Sequence, residues 1–200
     1  MEEIMVRGGI VFGIIIACSI VAMTIVIQRW WFFRSVERED ADQITVKKSI
    51  LAENECKTSE ESGPLFRLWT AMYEKRNSPA AEKITAGELI LDRESLRLEK
   101  YLYVLATIAT ISPLLGLLGT VLGMIKTFHA AAISGAGNPQ LLAEGISEAL
   151  YNTAAGLLVT IFCIVFYNHY RNWVERRVRV LETRIKQFAA VLEGGTGNGA

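Results

Sequence analysis

The sequence predicts an all-α membrane protein with three transmembrane helices and long cytoplasmic helical extensions. Two observations carry that prediction. Three stretches, 8–27, 102–125 and 149–168, nearly lack charge, and each is about 20 residues, enough to cross about 30 Å of hydrocarbon as a helix. The charges are also segregated: of 21 Lys and Arg, 13 fall in 29–100 and 6 in 171–200, leaving only Arg7 and Lys126 elsewhere. The excess of basic residues marks cytoplasmic segments, so both lie inside and the N-terminus outside. Three spans require the same, since an odd number puts the two ends on opposite sides. A hydrophobic content of 51% and a formal net charge of zero fit a globular core equally well; it is the distribution that decides.

Residues 1–7 form the outer N-terminus and 8–28 the first span. A secretory signal is disfavoured by Glu2 and Glu3, which oppose a basic leader, by the lack of a small-residue cleavage site, and by Arg29-Trp30-Trp31 directly after the apolar run. Trp30 to Phe33, bracketed by Arg29 and Arg34, read as an interfacial anchoring belt. Residues 29–100 form a helical cytoplasmic region punctuated by Gly63-Pro64 and Ser78-Pro79. Within it Leu65, Phe66, Trp69, Met72 and Tyr73 recur at helical spacing, as do Ile84, Leu91, Leu98 and Leu102. No breaker lies between Glu88 and Ser112, so the cytoplasmic helix is expected to run unbroken into the second span, 101–128. Residues 129–144, with Gly135, Gly137 and Pro139, form a short outer loop that makes the second and third spans antiparallel neighbours. The third span, 145–168, continues into 169–200 as an Arg-rich amphipathic helix to about Leu192, followed by a glycine-rich tail from Gly194 to Gly199. Cys18, Cys56 and Cys163 match no disulfide framework and no zinc spacing.

Helices associate in a bilayer through close packing of small residues. The second span carries such a stripe in Gly116, Gly119, Thr120, Gly123 and Thr127, with Thr107, Thr110 and Ser112 below it. Pro113 removes a backbone donor and is expected to bend the helix. Ala149, Thr153, Gly156 and Thr160 form a second stripe on the third span. The plain reading is packing, with threonine hydroxyls bonded to the preceding turn. Glu148, followed by Asn152 and Thr153 near the outer boundary, adds an ionisable group that is costly there unless it faces water or a partner, and so is a functional candidate. Glu144, a turn earlier, reads as a solvated charge at a helix start. His129 and His169 lie near opposite interfaces, and no phosphate loop, metal motif or nucleophile-base pattern appears, so the sequence points away from an enzyme. The run from Gly116 to Gly123 is glycine-rich but follows no strand, and it reads as packing.

Ile111-Ser112-Pro113-Leu114-Leu115-Gly116-Leu117-Leu118-Gly119-Thr120-Val121-Leu122-Gly123-Met124-Ile125-Lys126-Thr127-Phe128 strongly resembles the second span of the MotA/TolQ/ExbB proton channel family. Gly145-Ile146-Ser147-Glu148-Ala149-Leu150-Tyr151-Asn152-Thr153-Ala154-Ala155-Gly156-Leu157 resembles the start of that family's third span. Three spans with an outer N-terminus are similar to the ExbB/TolQ branch; MotA-type stators have four spans and a larger cytoplasmic domain. The resemblance implies a homopentamer in a bacterial inner membrane, N-terminus periplasmic and C-terminus cytoplasmic. It would surround the single span of an ExbD/TolR-like partner that carries an intramembrane Asp. It also implies that Thr120 and Thr153 line the pore near that Asp, and that Glu148 matters for function. No cofactor is expected beyond the driving ion, protons in preference to sodium. The implied work falls on a TonB- or TolA-like protein, for outer-membrane transport or envelope maintenance; the other partners are the lipid bilayer and no nucleic acid. A shorter cytoplasmic segment than in the better-known ExbB and TolQ proteins departs from the pattern. A non-conducting scaffold and a stator subunit for motility remain as alternatives.

Overall fold

The computed structural model describes residues 2–50, 63–134 and 139–194. Among them lie five helices and no strand: α1 (Glu2–Ile50), α2 (Pro64–Glu74), α3 (Ala80–Glu99), α4 (Leu102–Ser134) and α5 (Pro139–Gly194). Three helical stretches are long and apolar enough to cross a membrane, Gly9–Glu37, Ala80–Ile133 and Leu142–Leu192. The chain is an all-α membrane protein. At the head of the first stretch Gly9 adopts φ +64° inside α1, a left-handed conformation that costs glycine little because it has no β-carbon. Past that point α1 continues through the aromatic belt without a turn. The connection between α4 and α5 is shorter than its expected span: α4 runs through Ala130, Ala131 and Ala132, strong helix formers, to Ser134. Helix α5 then starts on Pro139, whose fixed φ suits a first helical position. Gly135 and Gly137 of that loop, Cys56, and the tail beyond Gly194 lie outside the described residues.

One expectation is corrected. The helix between Glu88 and Ser112 is not continuous: it breaks at Lys100 and Tyr101, where Lys100 has φ −50° and ψ 133° and Tyr101 has φ +68°. The cause is tertiary. Arg29, only 3% exposed, donates from Nη2 to the carbonyls of Arg97 at 3.2 Å and Leu98 at 2.7 Å. In an unbroken helix those carbonyls would accept from the backbone N–H groups of residues 101 and 102. The guanidinium replaces both donors, so the helix ends there. Arg29 is therefore a buried capping group as well as part of the basic belt.

The chain divides into two compact units. The first comprises Met1–Ile27 and Tyr101–Tyr170. Ile15 and Ala22 of α1, Leu105 and Ser112 of α4, and Ala149 and Cys163 of α5 are buried in it, and the Tyr170 hydroxyl donates to the Val26 carbonyl at 2.9 Å. Its outward surface is apolar, with Ile20, Leu114, Leu117, Ile125, Leu158 and Ile161 all exposed. A water-soluble surface would not carry so continuous an apolar coat, and hydrocarbon would.

The second unit comprises Gln28–Lys100 and Arg171–Ala200. Its core joins Leu68 and Met72 of α2, Leu91 of α3, and Leu181, Ile185 and Ala189 of α5. Trp69 meets Phe188 edge to face at 4.8 Å. Gly87 lets α3 approach closely, since a β-carbon there would lie 3.0 Å from Met72 Sδ and 3.1 Å from Ile185. Arg67 pairs with Glu94 at 3.0 Å. Phe33 stacks on Trp173 at 4.2 Å, and Trp173 Nε1 donates to Glu37 Oε1 at 2.8 Å. Burial pulls the Arg177 guanidinium below its ordinary range, and the nearby Glu37 carboxylate opposes that shift.

Candidate functional site

The residues singled out above meet along the contact between α4 and α5 in the first unit. A β-carbon built on Gly156 would lie 2.5 Å from the Ser112 carbonyl oxygen and 3.1 Å from Gly116 Cα. On Gly116 it would lie 3.0 Å from the Asn152 carbonyl oxygen and Thr153 Cα, on Gly119 2.6 Å from Asn152 Cβ, and on Gly123 2.9 Å from Ala149 Cβ. On Gly145 it would strike the Thr127 side chain. Any side chain at these positions would push the helices apart, so it is the glycines that permit backbone-to-backbone approach. The pairs run in opposite directions along the two helices, which gives an antiparallel register with Pro113 inside α4 beside the closest approach.

That register sets the level of the polar candidates. Thr120 falls opposite the turn between Ala149 and Asn152. At 1.5 Å per residue it lies within about 3–5 Å, along the axis, of both Glu148 and Thr153. Thr153 Oγ1 donates across the contact to the Gly116 carbonyl at 3.1 Å. Thr120 Oγ1 donates within its own helix to Leu117 at 2.7 Å and lines an open, apolar groove with Val121, Met124, Ile125 and Phe128. Both hydroxyl protons are thereby committed to backbone carbonyls. What the two threonines can offer a third group is lone pairs, which suit a cation or a protonated acid and not a carboxylate. Glu148 is half-buried, one turn ahead of Asn152.

Sequence reasoning named Ser112 and Asn152 among the polar residues and Gly145 within the third-span motif, but gave none of the three a part in the helix contact. Gly145 continues the α5 stripe, because Gly145, Ala149, Asn152 and Gly156 are spaced four, three and four apart; that spacing was the available signal. Ser112 is fully buried, its hydroxyl donating to the Ile108 carbonyl at 2.7 Å. Asn152 is only 3% exposed, and its Oδ1 accepts no hydrogen bond.

Residues 63–183 match the MotA/TolQ/ExbB proton channel family. The chain belongs to that family. The match spans α2 to α5 apart from the last turns, and includes both faces of the glycine contact. A putative biopolymer transport protein, ExbB-like 1, from Synechocystis sp. is 32% identical over 169 residues, covering 80% of this chain and 66% of the relative. ExbB-like 3 from the same organism is 27% identical over 191 residues, covering 92% of this chain and 91% of the relative. The Tol-Pal system protein TolQ of Haemophilus influenzae is 39% identical over 117 residues, covering 56% of this chain and 50% of that protein. The chain thus spans just under two thirds of the first of these relatives and half of the last. Within the family it is of the ExbB/TolQ-like branch, a multi-pass protein of the inner membrane. The family is one of membrane channel and transport subunits.

Proposed function

We propose that the chain is the channel-forming subunit of a proton-driven motor. Five copies surround an ExbD/TolR-like single-span partner, and the proton motive force is converted into mechanical work on a TonB- or TolA-like protein for outer-membrane transport or envelope maintenance. The observation that supports this best is the pair of threonines at one level, with their hydroxyl protons held by backbone carbonyls and Glu148 toward the outer end. In this reading the N-terminus is periplasmic, and Glu148 tunes the entry of protons from that side. Thr120 and Thr153 accept a hydrogen bond from the partner's carboxyl only while it carries a proton. One charge moved through 100 mV supplies about 2.3 kcal/mol. That is enough to bias a choice between two packings of the inner helices.

The test is proton flux into vesicles that hold the chain with its single-span partner, comparing the wild type with Thr153→Val and Glu148→Ala. Flux that requires the partner and collapses in both variants while the complex stays assembled is the expected result. Equal flux in all forms, or none with an intact complex, would point instead to a non-conducting scaffold.

A further inference from the structure

Among the described residues of the α4–α5 contact, one buried side-chain polar atom has no hydrogen-bond partner. Asn152 is 97% buried, its Oδ1 has no donor, and its side chain occupies the room that Gly119 leaves: a β-carbon on Gly119 would be 2.6 Å from Asn152 Cβ and 3.1 Å from Nδ2. Turning the amide over would bury an N–H in the same place, so the mismatch belongs to the site. An acceptor buried without a partner costs on the order of 1–3 kcal/mol, and hydrocarbon offers no water to relieve it. The hydroxyls along the two facing stripes cannot supply the missing proton as they stand. Those of Ser112, Thr127, Thr153 and Thr160 donate to the carbonyls of Ile108, Gly123, Gly116 and Gly156, and that of Thr120 donates to Leu117.

One side chain within reach changes its donor count. Glu148 precedes Asn152 by four residues on α5, the spacing at which helical side chains meet. Ionised, its carboxylate is acceptor only and cannot bond Oδ1; protonated, it carries one O–H. We propose that Asn152 is a positioning residue for Glu148: its Oδ1 accepts the hydrogen bond of the protonated Glu148 carboxyl and holds that form against the α4–α5 contact. A proton arriving at Glu148 then makes the bond to Oδ1; the ionised carboxylate, an acceptor only, can meet this amide only if it turns to present Nδ2–H. The arrangement gives the outer carboxyl two side-chain positions, one per protonation state, at the level of Thr120 and Thr153. The inference deepens the proton-motor reading and rests on it for its role, but the bond itself exists or not in the chain alone.

Infrared difference spectroscopy of the purified full chain in lipid tests the bond. The C=O stretch of the protonated Glu148 carboxyl is identified as the band lost in Glu148→Gln. In Asn152→Leu, close in volume but without an acceptor, and in Asn152→Ala, that band is expected to move to higher frequency while helix content is retained. An unmoved band in both variants would overturn the proposal. In vesicles with the partner, Asn152→Leu is expected to lower flux severalfold while the complex stays assembled; unchanged flux would overturn the positioning role. If the wild type conducts nothing, the motor reading falls while the infrared result still decides the hydrogen bond.

Discussion

Gly156→Ala isolates the close approach of α4 and α5. The new β-carbon would lie 2.5 Å from the Ser112 carbonyl oxygen, where ordinary contact begins at 3.4 Å. The obstructing atom is backbone and cannot rotate away, so the helices must part locally by about 0.9 Å. A gap of that size forfeits a quarter to a half of the dispersion energy of the atoms lining it. It also stretches the Thr153 to Gly116 hydrogen bond from 3.1 Å to about 4 Å, beyond any useful length. Overpacking of this kind costs about 1–3 kcal/mol, and the lost interhelical bond adds about 0.6 kcal/mol. Thermal unfolding in detergent is expected to show Gly156→Ala clearly destabilised and Gly116→Ala, with its 3.0 Å contacts, less so. Gly13→Ala serves as the control, because a β-carbon there meets nothing within 4 Å, and it should be neutral or slightly stabilising as alanine improves helix propensity. Proton flux with the partner should fall in the same order. If Gly156→Ala unfolds and conducts like Gly13→Ala, the glycines do not set the helix separation and the argument built on it fails.

Thr153→Val keeps the side-chain shape but removes the bond to Gly116; a loss of only about 1 kcal/mol in stability with a much larger loss of flux would separate the hydroxyl's packing role from its role in conduction. Arg29→Met leaves the carbonyls of Arg97 and Leu98 without their guanidinium donor and is expected to destabilise the second unit by about 2–4 kcal/mol, seen as faster proteolysis within α3. Glu37→Gln keeps an acceptor for Trp173 Nε1 but removes the charge beside the half-buried Arg177; a loss of about 1 kcal/mol in chemical denaturation followed by tryptophan fluorescence is expected, and an unchanged midpoint would show that the carboxylate's charge contributes nothing there.

Much of the architecture was legible from single helices read one at a time. The apolar runs appear as helical stretches able to span a bilayer because length and hydropathy belong to the segment itself. The meeting of Met72 and Leu91 in one core, with Leu65, Trp69, Tyr73 and Ile84 packed against it, follows from periodicity in the same way, whereas Leu68 and Leu181 of that core were not read from the sequence. The glycine stripes were visible too, except at Gly145, which lies a turn before the charge-poor stretch 149–168 that marks the third span. The pairing of particular residues across the contact was not legible, since a stripe states which face packs but not the register in which it packs.

By itself the sequence determined that the chain is helical, that it has three runs able to cross a bilayer, and that glycine and small hydroxyl residues mark the packing faces of two of them. Those properties are local, repeating along one helix at a fixed period. The tertiary structure alone decided that the helix ends at Lys100 and Tyr101, that Thr153 bonds Gly116, and that Asn152 lies buried over Gly119 with its Oδ1 unsatisfied. Each depends on groups tens of residues apart, Arg29 with Leu98 or Gly119 with Asn152. No local pattern encodes such a meeting; it arises only when two helices are brought within van der Waals distance and the donors and acceptors on them must be matched.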